Sequence, residues 1–343
     1  MKRLSRRSVS YIISALMTGV FLYLAFRGTN FTDVYRSMLA ADYWWILLMI
    51  VILMVSNYLR AWRWRYLLDP LKRNIGMRNL FSAVMIGYLM NNVLPRAGEL
   101  ARPYSIGKLE RISKSAALGT IVVERIMDTV SLLLLIVALP IVYRGSLKDS
   151  FPWLEETAVI TAAATGIAIA ILVFLVIRRD IAMKVVRVFT RIMPDRLRAR
   201  VEEYSHLFLD GFLFMKEPRS YLMIFVSSLL IWVLYVAMMY VAFGAFGLFG
   251  SLGLRAAFVV LTTSTIGTML PTPGATGTYH FFVTVTLTKM FNIPNDVALS
   301  YSTVTHAAMF IGSTLVGVYY LFTDQIQIAD AVTRSVAGAR EKA

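Results

Sequence analysis

The sequence predicts an all-α polytopic membrane protein with about six full spans, two re-entrant hairpins and an inverted internal repeat. All of it falls in a single integral membrane domain, residues 1–343. Three observations predict this class. The chain is 58% apolar with a mean hydropathy of +0.65, where soluble domains sit at roughly 45–50% apolar. Nine apolar runs follow one another, and three are too short to cross a bilayer. The net charge of +15 gathers in particular loops, as the positive-inside rule expects of a polytopic chain.

Val9–Phe26 is the first span. Lys2, Arg3, Arg6 and Arg7 precede it as in a signal peptide, but no small-residue cleavage site follows, so the run is expected to be retained. Tyr43–Leu59, Ala116–Val142, Ala158–Ile177, Tyr221–Phe243 and Val297–Phe322 are the other full spans, since crossing takes roughly 20 apolar residues. Leu80–Leu94, Ala256–Leu270 and Tyr279–Phe291 fall short of that. They are expected to enter the membrane and turn back.

Loop charge gives the same answer. Residues 60–78 net +5, residues 96–114 net +3 and residues 178–219 net +4, so all three are expected on the cytoplasmic side. Residues 27–43, 140–156 and 244–255 net 0, −1 and +1 and are expected outside. The first two basic loops share a side only if Leu80–Leu94 does not cross. Both termini then lie in the cytoplasm. The basic segment 178–219 carries Met183, Val186, Phe189, Ile192 and Leu197 at roughly helical spacing. It reads as a surface helix drawn to anionic lipid or as a solvated linker.

The two short dips end alike. Leu94-Pro95-Arg96-Ala97-Gly98 aligns with Leu270-Pro271-Thr272-Pro273-Gly274 at an offset of 176 residues. The same offset lays the span from Tyr43 on the span from Tyr221, and Ile121–Val130 on Val297–His306. A first core at about 43–142 and a second at about 221–323 thus read as span, dip, tip, span, with opposite orientation. Secondary transporters often use such repeats, with the substrate near the midplane.

Charge at membrane depth marks the candidate site. Glu124 and Asp128 are four residues apart on one helix face of Ala116–Val142, and Arg125 stands three before Asp128. Charges there cost free energy and face a bundle interior or a wet cavity. Two readings stay open: a buried ion-pair network to Arg96 or Arg102, or a polar path for a headgroup. In Asn91-Asn92-Val93-Leu94-Pro95-Arg96-Ala97-Gly98-Glu99, Pro95 and Gly98 break the helix. The freed backbone, with Asn91, Asn92, Arg96, Glu99 and Arg102, would line a polar cavity facing the cytoplasm. Guanidinium forks there suit a phosphate. The second tip offers Pro271, Pro273, Gly274, Gly277 and His280, with His306 at similar depth. Metal binding is not expected, because no third ligand is evident.

These residues resemble a known family. Arg60-Ala61-Trp62-Arg63-Trp64, Asn91-Asn92-Val93-Leu94-Pro95, Gly98-Glu99 with Arg102-Pro103, Val122-Val123-Glu124-Arg125 with Asp128, and Pro271-x-Pro273-Gly274-x-x-Gly277 are similar to the flippase-like transmembrane region of bacterial lysylphosphatidylglycerol synthases, which also occurs as a stand-alone membrane protein. The resemblance runs from about residue 8 to 323. It implies a bacterial inner-membrane protein that moves an aminoacylated or other polar lipid between leaflets. Two positions depart from it: His280 stands where the family often has Glu, and His306 where it often has Arg. Both becoming His suggests that the two face each other. Only about twenty residues follow Phe322, so the soluble aminoacyltransferase domain of full synthases is not expected, nor is lysyltransferase activity.

The expected partner is a phospholipid or polar-lipid headgroup, with a membrane-protein partner or a homo-oligomer open. Nucleic acid is not expected, because the basic residues flank apolar spans. Absence of Cys excludes disulfides and thiolate chemistry. No Gly-rich phosphate loop, metal cluster or triad is visible, so no cofactor and no enzyme activity are expected. The alternatives are a small-solute secondary transporter and a non-catalytic membrane partner of a lipid-modifying enzyme.

Overall fold

The computed structural model describes residues 6–143, 145, 178–191, 193–210 and 218–325, with 163, 166, 167, 170, 171, 174 and 175 between them. Among the described residues every regular element is a helix. α1 (Arg6–Phe26) and α2 (Phe31–Leu39) lead into α3 (Tyr43–Leu68). α4 (Met77–Val93) and α5 (Gly98–Glu110) form a first hairpin, and α6 (Lys114–Val142) follows. α7 (Arg179–Thr190) and α8 (Asp195–Asp210) precede α9 (Pro218–Gly244). α10 (Leu254–Thr268) and α11 (Thr278–Val285), the latter continued by a π-helical turn at Thr286–Met290, form the second hairpin. α12 (Asn295–Thr323) closes the bundle.

Among the described residues, four helices are long and apolar enough to cross a membrane: Tyr43–Leu68, Lys114–Val142, Ser220–Gly244 and Asn295–Thr323. α1 runs 21 residues. Most of the expected span Ala158–Ile177 lies outside the described residues. Local chemistry sets the helix starts. Asp42 caps α3 by accepting from Trp44 N at 3.1 Å, and Ser113 caps α6 by accepting from Ala116 N at 3.3 Å. α2, capped by Asn30, lies where the sequence showed only a polar loop.

The repeat is visible in the element borders. A shift of 176 residues carries α3 onto 219–244 and α4 onto 253–269, against Pro218–Gly244 and Leu254–Thr268 observed. α3 packs along α9, and Asp42 N donates to Ala245 O at 2.9 Å. The start of α3 therefore meets the end of α9, and the equivalent helices run antiparallel. α4 packs on α12 and, in counterpart, α10 packs on α6.

The hairpins open at opposite ends of the bundle. The base of the first is tied to the end of α12: Arg78 Nη2 lies 2.8 Å from Asp324 Oδ1, Ser82 Oγ donates to Asp324, and Lys108 Nζ donates to Gln325 O at 2.7 Å. Beside it, Lys72 and Asn79 donate to Glu110 at 2.6 and 2.7 Å. Burial alone would raise the Glu110 carboxyl, but these hydrogen bonds outweigh it and hold it below the usual carboxylate range. The base of the second hairpin sits at the other end, where Tyr143 at the close of α6 donates to Met290 O at 3.2 Å. Asn295 at the start of α12 reaches Thr29 after α1 at 2.9 Å. α1 therefore begins, and α12 ends, at the end that holds the first base. That end exposes Arg73, Arg78, Lys108, Arg111 and Lys114. We call it the basic end.

The two largest apolar cores each draw mainly on one half, with Ile224 of α9 joining the first and Met49 and Leu53 of α3 the second. One gathers Trp64, Leu67, Leu80, Val84, Ile106, Ala117 and Ile121 with Met183 and Leu209 of α7 and α8. The other gathers Met49, Met239, Phe243, Val260, Val283 and Tyr301. α7 and α8 are thus packed against the basic-end core, which corrects the solvated-linker alternative. Met183 is buried as its spacing implied, but Phe189 is 69% exposed, and Ile192 lies outside the described residues.

Candidate functional site

Four helices converge on one ionic cluster. α3 brings Arg60 and Arg63 with Trp64 on the adjoining turn. α6 brings Thr120, Glu124 and Asp128, each one turn apart on a single face. α5 supplies Arg102, and α9 supplies Ser228 and Tyr235. Arg102 grips Glu124 with both ends of its fork, Nη1 at 2.9 Å and Nη2 at 2.8 Å, the bidentate geometry that a planar guanidinium favours. Arg60 Nη1 donates to Glu124 at 2.6 Å and to Asp128 at 2.8 Å, and its Nη2 donates to the Tyr235 hydroxyl at 2.9 Å. Arg63 donates to Asp128 at 2.9 Å and to Ser228 at 3.0 Å. Arg125 Nη2 lies 2.9 Å from Glu124 and 3.0 Å from Asp128. Trp64 orders the inner wall: its indole N–H donates to Thr120 at 2.8 Å, and its ring carries the Arg102 guanidinium at 4.4 Å.

Four guanidinium groups thus surround two carboxylates, a surplus of two positive charges. The cluster is deep. Arg60 lies eight residues from the end of α3, Arg102 eight from the end of α5, and Glu124 ten into α6. At about 1.5 Å per residue these are depths of roughly 12–15 Å from the basic end. Glu124 and Arg63 are fully buried, Asp128 is 16% exposed and Arg125 is 42% exposed. The cluster is therefore closed at Glu124 and open towards Arg125.

The hairpin tips form a second polar region. α4 ends where Leu94 turns extended ahead of Pro95, and Arg96 takes a left-handed φ of 62°. Asn91 Oδ1 then accepts from Gly98 N at 2.7 Å, closing the first turn of α5. Gly98 and Gly87 allow the two arms to touch: a Cβ on Gly98 would collide with the Gly87 carbonyl, and a Cβ on Gly87 with the Arg102 side chain. The second tip turns through Pro273, Gly274 and Ala275, and Gly277 has a φ of 86°. The tips meet. Arg96 Nη2 reaches Met269 O at 3.5 Å, and Asn92 Oδ1 lies 3.1 Å from where a Cβ on Gly274 would stand. Asn92 also donates to Thr314 of α12 at 2.9 Å.

His280 and His306 do face each other, with ring centroids 4.6 Å apart. His306 Nε2 is 2.8 Å from the Gly274 carbonyl. A carbonyl only accepts, so the proton sits on Nε2. Gly277 N donates to His280 Nδ1 at 3.4 Å. Among the described residues no group of three or more His, Asp or Glu could hold a metal ion.

The sequence-derived set thus divides in two. Arg102, Glu124, Arg125 and Asp128 form the ionic cluster. Asn91, Asn92, Pro95, Arg96, Gly98 and Glu99 form the first tip, with Pro271, Pro273, Gly274, Gly277, His280 and His306 around the second. Of the two arginines considered as partners for Glu124, Arg102 is the partner and Arg96 is not. The Glu99 carboxylate makes no hydrogen bond or ion pair among the described residues. Arg60 and Arg63, counted from sequence as loop charge, belong to α3 and are buried in the cluster. Their spacing with Trp64 was the available signal. Three basic residues, Arg65, Lys72 and Arg73, still stand between Arg63 and the start of the first hairpin against Asp69, so the segment keeps its sign. Tyr235 and Ser228 carried no signal of their own.

No solved structure matches the chain. Over 248 residues it is 27% identical to a UPF0104 membrane protein of Methanothermobacter thermautotrophicus, covering 69% of this chain and 73% of that one. Over 333 residues it is 23% identical to a UPF0104 membrane protein of Methanocaldococcus jannaschii, covering 92% and 94%. The family model described as the lysylphosphatidylglycerol synthase TM region matches residues 10–317. The all-helical bundle with paired short hairpins is thus a form of that region, and the chain belongs to the lysylphosphatidylglycerol synthase transmembrane-region family.

Proposed function

We propose that this protein moves a polar lipid between the two leaflets of the cell's plasma membrane. The observation that carries the proposal is the meeting of two oppositely opening hairpins beside a buried charged cluster. Irregular backbone survives at membrane depth only where protein or water surrounds it. Arg96, Glu99 and Asn92 at the tips, and Arg125 at the open edge of the cluster, are the groups a headgroup would meet there. The basic end faces the cytoplasm by the positive-inside rule, so the headgroup enters from that side. It passes between the tips while its acyl chains stay in lipid. Membership of a family named for a lipid-modifying synthase favours a lipid over a small solute.

The test is leaflet exchange of fluorescent lipids in vesicles carrying the purified protein. Arg96→Gln with Glu99→Gln is the variant of choice, because neither side chain holds the bundle together. Fast exchange in the wild type, lost in this variant at an unchanged unfolding temperature, is the expected result. Absence of exchange for every lipid, with and without a pH gradient, would turn the assignment to a small-solute transporter.

A further inference from the structure

The ionic cluster is unbalanced in a way that names a ligand. Arg60, Arg63, Arg102 and Arg125 face only Glu124 and Asp128, so two positive charges are uncompensated well below the surface. The Nε–H groups of all four arginines are buried and make no hydrogen bond within the described residues, and neither does the Asn57 amide nitrogen. Asn57 is 1% exposed and lies one turn deeper on the same face of α3 as Arg60. Each such donor costs free energy unless an acceptor reaches it. A structural ion-pair network would be neutral and saturated, and this one is neither.

The second half of the repeat sharpens the point. The 176-residue shift carries Arg60, Arg63 and Arg102 onto Val236, Met239 and Thr278. It carries Glu124, Arg125 and Asp128 onto Ser300, Tyr301 and Val304. All six charges become neutral there, and the equivalent space is packed: Tyr301 donates to Met239 O at 2.9 Å within the second core. The helix geometry alone therefore does not require the charges. They belong to the half whose hairpin opens at the basic end.

We propose that this cluster binds a phosphate monoester, entering past its exposed edge at Arg125 and Asp128. A phosphate monoester carries about −1.5 to −2 charges at neutral pH with three acceptor oxygens, which matches the surplus of two and the unused donors. A phosphodiester would leave one positive charge over, and an aminoacylated cationic headgroup would add to the excess. The source is the head of a lipid if the proposed lipid movement is right, on which the choice of lipid rests, or free phosphate if it is not.

Two measurements test this. Thermal unfolding of the detergent-solubilised protein is followed with inorganic phosphate against chloride at matched ionic strength. Phosphate should raise the midpoint in saturable fashion. Arg125→Gln, which leaves Glu124 held by Arg60 and Arg102 and so keeps the fold, should bind phosphate roughly tenfold more weakly. Asn57→Ala should weaken it in the same sense. No phosphate-specific shift, or an equal shift in Arg125→Gln, overturns the inference. Leaflet exchange is then compared for phosphomonoester, phosphodiester and aminoacylated lipids. Fastest exchange of the monoester, competed by inorganic phosphate, supports both site and lipid. Phosphate binding without exchange of any lipid keeps the site, assigns it to free phosphate and removes the proposed lipid movement. Exchange of the aminoacylated lipid alone, insensitive to phosphate, keeps lipid movement and overturns the inference.

Discussion

At the residue scale Glu124 holds the cluster together. It is fully buried and accepts from Arg60, Arg102 and Arg125. Taking one partner from a buried ion pair strands the other charge, at a cost of about 3–5 kcal/mol. Glu124→Gln keeps the shape and raises the surplus from two positive charges to three, so it should destabilise by about that amount. Glu99→Gln, whose carboxylate makes no ion pair among the described residues, should leave stability unchanged. Tryptophan fluorescence during thermal unfolding reports both, because Trp64 lies against Arg102. Equal midpoints for wild type and Glu124→Gln would mean that water, not the protein, compensates these charges. Glu124 and Asp128 were legible in the sequence because a charge nine or more residues inside an apolar run demands a partner, and Arg102 was legible as one of two arginines beside the helix break that could supply it. Arg60 and Arg63 were not. They stand next to Arg65, Lys72 and Arg73, where the positive-inside rule already accounts for basic residues. Ordinary span residues such as Tyr235 and Ser228 are indistinguishable from neighbours until α9 is seen lying along α3.

At the element scale the hairpins were the most legible part, because run length is a hard limit on crossing. The offset that aligned two tips also predicted the borders of α3, α4, α9 and α10 to within a residue or two. α2 was missed since nine residues are too few for periodicity to rise above loop composition. The packing of α7 and α8 was missed because a basic amphipathic pattern does not say which apolar surface it meets. The first hairpin makes a demand of its own. α4 and α5 are in backbone contact at Gly87 and Gly98, and any side chain at Gly98 runs into the Gly87 carbonyl. Backbone cannot move aside as a flexible side chain can, so Gly98→Ala should cost about 1–3 kcal/mol or more by prising the arms apart. It should also loosen the Arg102 grip on Glu124, since Arg102 lies one turn along α5. The expected result is a lowered unfolding midpoint together with faster hydrogen exchange confined to α4 and α5. A lowered midpoint with unchanged exchange in that hairpin would place the strain elsewhere.

At the scale of the whole molecule the halves share a backbone plan but differ in chemistry. The first half buries charge near the basic end, and the second fills the equivalent space with Tyr301, Met239 and hydroxyl groups. Beyond the packing of α3 along α9 and α4 on α12, the two tips meet through Arg96 against Met269 and Asn92 against Gly274. Inverted repeats alternate access by rocking one unit against the other around a shared centre. A headgroup that passes between the tips requires the Arg96–Met269 approach to open. The long 3.5 Å contact is a weak latch, at the limit of a hydrogen bond, so opening it costs little. The chain has no Cys, so Arg96→Cys with Met269→Cys introduces the only thiols, and Arg96 and Met269 are both exposed. A short thiol-reactive cross-linker with a reducible centre would then hold the tips together without touching the ionic cluster. The exchange that the double variant retains through Glu99 and Asn92 should stop on cross-linking and return on reduction, while each single variant shows the same rate before and after the treatment. Phosphate-dependent stabilisation should survive cross-linking, because all four arginines and both carboxylates of the cluster stand in the first half and its exposed edge is at Arg125. Exchange that continues with the tips joined would mean that lipid travels over the outside of the bundle, and the hairpins would then be structural.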